Sequence, residues 1–183
     1  MSDFIYFNTI NKTKISEIKE IFSSYLNRVK FLSEDIREIL DSDINSVIMA
    51  KAASAYQVCR VPVIVEHGAL VINYFNGFPG AVSKPMWDSM QGKICKLIPI
   101  GEPRDAVALS GVCYCDGFRR KVFVGKTEGT ISTQGRGGNG FQWDPIFIPN
   151  GSTRTYAEMD QTEKLKYSQA AKAYNELIKH LNL

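Results

Sequence analysis

The segment Val63-Ile64-Val65-Glu66-His67-Gly68 places a carboxylate and an imidazole directly after an apolar run. A strand that delivers two such side chains can hold a cation or move a proton. A second candidate is Thr9-Ile10-Asn11-Lys12-Thr13-Lys14, which lies between a short apolar run and a helical pattern. Helix N-termini favour anions, and a lysine there neutralises phosphate. The same residues also suit a polar turn with an N-cap. Arg136-Gly137-Gly138-Asn139-Gly140 precedes Phe141-Gln142-Trp143-Asp144, where aromatic rings and a carboxylate suit a purine, or a flexible loop before a core strand. Thr155 to Met159 and Glu163-Lys164 suit helix entry as well as a site. Gly125-Lys126-Thr127 imitates a phosphate loop, but that motif needs a glycine where Arg120 stands, and no helix follows it.

The elements that must position these groups alternate early. Phe4 to Asn8 reads as a strand, followed by a helix with Ile15, Ile18, Ile21, Phe22 and Tyr25 at helical spacing. Val29 to Leu32 reads as a strand, and Asn45 to Val58 as a helix with Ile48, Ala52, Ala55 and Cys59 on one face. Ser83 to Met90 fits a short helix. Asp105 to Cys115 and Arg119 to Lys126 fit a hairpin turned by Cys-Asp-Gly. Thr162 to Leu181 reads as one closing amphipathic helix. The expected fold is a mixed α/β sheet with flanking helices, in a single domain spanning residues 1–183.

Twenty-two basic and nineteen acidic residues give a net charge of +3, too small a bias to point to nucleic acid or an anionic membrane as partner. Without an apolar run of spanning length or a leader at the N-terminus, the expected location is the cytoplasm. Cys59, Cys95, Cys113 and Cys115 read as core thiols, and two distant histidines argue against a multi-histidine metal site.

Taken in order, the motifs resemble the inosine triphosphate pyrophosphatase family, which hydrolyses ITP, dITP and XTP to monophosphate and pyrophosphate. Thr9-x-Asn11-x-x-Lys14-x-x-Glu17 is similar to its N-terminal phosphate motif and Lys51-Ala52 to its Lys-Ala helix. The stretch from Val63 through Gly77-Phe78-Pro79-Gly80 resembles its central strand and the turn after it. Gly125 to Ile131, Arg136-Gly137, Phe141-x-Trp143-Asp144-Pro145, Thr155 to Met159 and Glu163-Lys164 complete the series. The resemblance implies a long curved strand, two lobes around a nucleotide cleft, and a homodimer. It also implies that Thr9, Asn11, Lys14 and Lys164 meet triphosphate while Phe141, Trp143 and Asp144 surround the base.

Measured against that family, the chain departs at the metal and at the base. The resemblance implies magnesium held by carboxylates, one of them five residues before Lys51, where this chain has Ser46, and one at His67. Glu66 remains as a metal ligand, with Asp41 or Asp43 as a possible replacement partner. A base-reading Ser-His-Arg triplet is replaced by Ser168-Gln169-Ala170, and Gln142 stands where glycine is usual. Three readings follow, the blandest being a structural subunit whose old pocket is vestigial. The first is a degenerate nucleotide sensor that binds dITP or ITP with little hydrolysis and signals to an effector protein in a stress or antiphage pathway. The alternative is an active pyrophosphatase in which Glu66, His67 and an acid from the Asp41–Asp43 segment form a modified metal site.

Overall fold

The computed structural model describes residues 4–183; the extreme N-terminus, on which the leader reading partly rests, lies outside the described residues. The elements run β1 (Ile5–Asn8), α1 (Lys12–Ile21), β2 (Val29–Leu32), α2 (Ile44–Cys59), β3 (Val63–Ile72), β4 (Pro79–Gly80), α3 (Ser83–Met90), β5 (Asp105–Cys115), β6 (Arg120–Ile131), β7 (Phe147–Pro149), α4 (Gln161–Tyr167) and α5 (Gln169–His180). They build a mixed seven-stranded sheet in the order β2-β1-β3-β5-β6-β7, with β4 also paired to β3. β1 lies parallel to β2 and β3, and the remaining pairs are antiparallel.

Side-chain alternation along β3 decides how the sheet is covered. Ile64 joins Val112 on β5 in a core completed by Phe7, Phe22, Ala170, Ala173, Tyr174 and Leu177, so α1 and α5 cover that face. Val63 and Val65 join Cys113, Cys115, Ile48, Ala52 and Ala55 beneath α2 on the other. A third cluster, including Leu70, Ile72, Met86, Trp143, Phe147 and Tyr156, fills the far end of the sheet. The four cysteines are free, and Cys95, Cys113 and Cys115 are buried.

Two elements differ from the sequence expectation. The hairpin strand β6 continues to Ile131, because its last residues pair with Asp105 to Val107 on β5 and with β7. The closing helix is two helices. Ser168 leaves helical geometry at φ −53°, ψ 122°, and its Oγ accepts from the Ala171 N–H to cap α5.

The false phosphate loop is a packing device. A Cβ built on Gly125 would lie 1.8 Å from the Gln169 carbonyl oxygen, so α5 crosses β6 where only glycine lets it approach. Thr127 donates its hydroxyl to the Tyr167 carbonyl. Gly125→Ala is expected to destabilise the fold by ~1–3 kcal/mol through overpacking against backbone. Urea unfolding measures it, and an unchanged midpoint contradicts the close crossing.

Candidate functional site

β3 is much longer than its neighbour. Only Val63 and Ile64 pair with β1, whereas the partnership with β5 runs from Val63 to Ile72, and β4 takes up pairing again at Leu70. The β1-side edge of β3 is therefore open around Glu66, His67 and Gly68. Alternation sends Glu66 to the α1/α5 face and His67 to the α2 face, yet both line one cleft through this gap. They stand in mid-strand.

The cleft, about 690 Å³, is also lined by Thr9, Asn11, Lys14, Glu38, Lys51, Lys84, Phe141, Gln142 and Tyr174. The turn after β1 forms its floor. Thr9 Oγ1 accepts from the Asn11 N–H, and Asn11 Oδ1 caps α1 by accepting from the N–H groups of Thr13 and Lys14. Lys14 Nζ lies 3.2 Å from Glu66 Oε2, and Ser110 donates to Glu66 Oε1 at 3.0 Å. Burial pushes the Glu66 carboxyl upward, but Lys14, Ser110 and Lys51 outweigh it and hold the group below the usual range. Burial first, and then the Glu66 charge, push the Tyr174 hydroxyl well above its usual range.

The acidic segment reaches the cleft by a different residue from those expected. Asn8 clamps Glu34 with two bonds, Nδ2 to its carbonyl at 3.1 Å and Oδ1 from its N–H at 2.9 Å. Ser54 accepts from the Arg37 N–H, and the Ser42 carbonyl from the Ala81 N–H. Gly80, at φ +58°, permits that last contact, since a Cβ there would lie 2.3 Å from the Ser42 oxygen. These ties bring in Glu38, which meets Lys51 Nζ at 2.9 Å and His67 Nδ1 at 3.6 Å. Its pKa falls to about 2, because of His67 first and Lys51 after burial's opposing effect.

The acid that this segment brings beside His67 is Glu38, whereas Asp41 and Asp43 do not line the cleft. Asp43 instead caps α2 by accepting from the Ser46 N–H and hydroxyl, and Asp41 accepts from the Asp43 N–H. Ser46 belongs to that exposed cap, so the carboxylate thought missing there leaves no gap in the cleft wall.

The residues expected around a base divide. Phe141 and Gln142 line the main cleft, Gln142 at φ +51° in the region that favours glycine. Trp143 is 5% exposed and packs on Phe147 and Tyr156, which corrects its place from pocket wall to core. Asp144 is buried against Lys164 Nζ at 2.7 Å and accepts from the Phe141 N–H. Lys164 opens onto a second hollow of about 330 Å³, shared with Thr13, Glu17, Asn139 and Tyr156. Burial and the Glu66 charge push the Glu17 carboxyl up. Ser168 donates to Glu17 at 2.7 Å, and Gln169 accepts from the Tyr156 hydroxyl, so both serve behind the wall of this hollow.

A mixed sheet whose cleft joins Lys14 at the start of α1 to Glu66, and Lys51 on α2 to Glu38, defines an α/β protein with a mixed-charge cleft. The chain belongs to the Ham1 family, whose model matches residues 5–180. It is 36% identical over 174 residues to the dITP/XTP pyrophosphatase of Hyperthermus butylicus, covering 94% of this chain and 92% of that one. It is 35% identical over 185 residues to the inosine triphosphate pyrophosphatase of Kluyveromyces lactis, with 97% and 95% covered. The HAM1 protein from Coxiella burnetii superposes with a TM-score of 0.82 at 25% identity, covering 97% of this chain and 98% of that one. No helix among the described residues is long and apolar enough to cross a membrane.

The Glu38 pairing has a pH signature. Its folded pKa lies below the ordinary 4.5, so the stability it contributes is complete above about 4.5 and is lost as pH falls toward about 2. Glu38→Gln should flatten the dependence of the urea midpoint on pH across that window. An unchanged slope contradicts the pairing.

Proposed function

We propose that the protein is a pyrophosphatase for non-canonical purine nucleoside triphosphates of the dITP, ITP and XTP class, cutting them to monophosphate and pyrophosphate. The observation that carries this reading is the pair of lysine–glutamate contacts, Lys14–Glu66 and Lys51–Glu38, in one cleft at the N-terminus of α1. Lysines there suit phosphate oxygens, and the carboxylates suit a cation that accompanies them. The names of the relatives point to the same substrates.

A magnesium-class ion needs only one or two protein carboxylates when substrate phosphates and water complete its shell. Glu38 and Glu66 meet that requirement, and both are held below their usual range, which keeps them ionised. When bound, such an ion neutralises charge on the triphosphate. Lys14 and Lys51 bind and orient the phosphates, with Thr9 and Asn11 shaping the turn beneath them. Phe141 and Gln142 flank the nucleoside side, and Lys164 with Asp144 stiffens the wall beyond it. Neither carboxylate is a strong proton acceptor at neutral pH, so the residues contribute position and charge, the main terms in phosphoryl transfer.

That last point favours a second reading, tight nucleotide binding with slow turnover, in which the protein acts as a sensor for an effector partner. His67 lines the cleft at the position where the resemblance leads one to expect a second acid. In either reading the chain is a single 1–183 domain that works as a homodimer in the cytoplasm.

Purified protein incubated with dITP, ITP, XTP and dGTP, with magnesium or manganese, separates the readings through binding and pyrophosphate release. Release with dITP, ITP or XTP well above that with dGTP is the expected result. Tight binding without release supports the sensor, and absence of triphosphate binding contradicts both. Lys14→Ala should weaken binding by roughly 10–100-fold, the worth of a charge-assisted hydrogen bond.

A further inference from the structure

We propose that His67 and Glu38 form a binding site for a divalent cation of the transition-metal class, such as manganese, cobalt or zinc, in preference to magnesium. The inference rests on the triphosphate reading only in that phosphate oxygens and water complete the coordination shell. Among the described residues no group of three or more histidine, cysteine, aspartate and glutamate side chains lies together, so the protein supplies few of the donors.

The imidazole orientation carries the argument. His67 Nε2 lies 2.8 Å from the Ala81 carbonyl oxygen. A carbonyl oxygen can only accept, so Nε2 carries the hydrogen and a neutral ring leaves Nδ1 bare. That lone pair faces Glu38 Oε2 at 3.6 Å. Two electron-rich atoms at this separation attract positive charge between them, a proton or a metal ion, while Lys51 at 2.9 Å neutralises the other carboxylate oxygen. Donors about 2.1 Å from one ion lie roughly 3–4 Å apart, depending on the angle they subtend. The pair fits.

The surroundings hold the ring as ligating histidines are held, with the second ring N–H on a backbone carbonyl. Ala81 is buried, and its own N–H is fixed on the Ser42 carbonyl. An imidazole nitrogen suits zinc, copper, iron and nickel, and manganese accepts it beside oxygen donors, whereas magnesium takes oxygen donors. One histidine beside one carboxylate therefore moves the preference of the cleft.

The test is pulsed electron paramagnetic resonance on the whole chain loaded with Mn²⁺, alone and with inorganic tripolyphosphate. The expected result is a ¹⁴N coupling from directly bound imidazole that disappears in His67→Ala and His67→Asp. Displacing Mn²⁺ should need at least tenfold more Mg²⁺ in the wild type, and His67→Asp should erase that margin. Failure to bind Mn²⁺, bound Mn²⁺ without nitrogen coupling, or a coupling that survives His67→Ala overturns the proposal. Failure of tripolyphosphate to bind while Mn²⁺ alone shows the coupling counts against the pyrophosphatase reading instead.

Discussion

Glu66 is a charged carboxylate in the middle of a core strand, and its pairing with Lys14 is the contact on which the cleft depends. An ionised group in such a place is costly unless partners replace its water. Lys14 on α1 and Ser110 on β5 do so from two elements, which ties the turn after β1 to the centre of the sheet. Replacing one partner of a buried pair costs about 3–5 kcal/mol, although the intact pair contributes little to stability. Such a contact is better explained by what the charges do there than by what they add to the fold.

The sheet makes room for that pair. Had β1 run the full length of β3, ladder pairing would close the edge beside Glu66 and His67. Because β1 ends at Asn8 and turns into α1, side chains from opposite faces of β3 open onto the same space. The acidic segment then crosses the opening, held by Asn8, Ser54 and the Ser42–Ala81 contact, and delivers Glu38 to Lys51 and His67. Cations and carboxylates neutralise one another across the cleft, and in the proposed function they exchange these partners for phosphate and metal.

Much of this was legible in local pattern. Helical spacing located α1 and α2, and short apolar runs located β1, β2 and β5. The turn at Thr9 to Lys14 was legible because caps are written in adjacent residues. Glu38 was not, since Glu34, Asp35, Glu38, Asp41 and Asp43 share one irregular acidic stretch and only tertiary hydrogen bonds choose among them. Trp143 looked like a stacking residue by type, but its neighbours Phe147 and Tyr156 draw it inward. The break between α4 and α5 was hidden because Ser168 interrupts the backbone without interrupting the apolar spacing.

The claim that the paired charges exchange partners is tested most directly by calorimetric titration of inorganic tripolyphosphate with and without Mn²⁺, and of Mn²⁺ with and without tripolyphosphate, corrected for their association in solution. The account predicts that each ligand tightens the other's binding by the same factor, at least several-fold, as linkage requires when each releases groups the other needs. Independent affinities in both orders would contradict it.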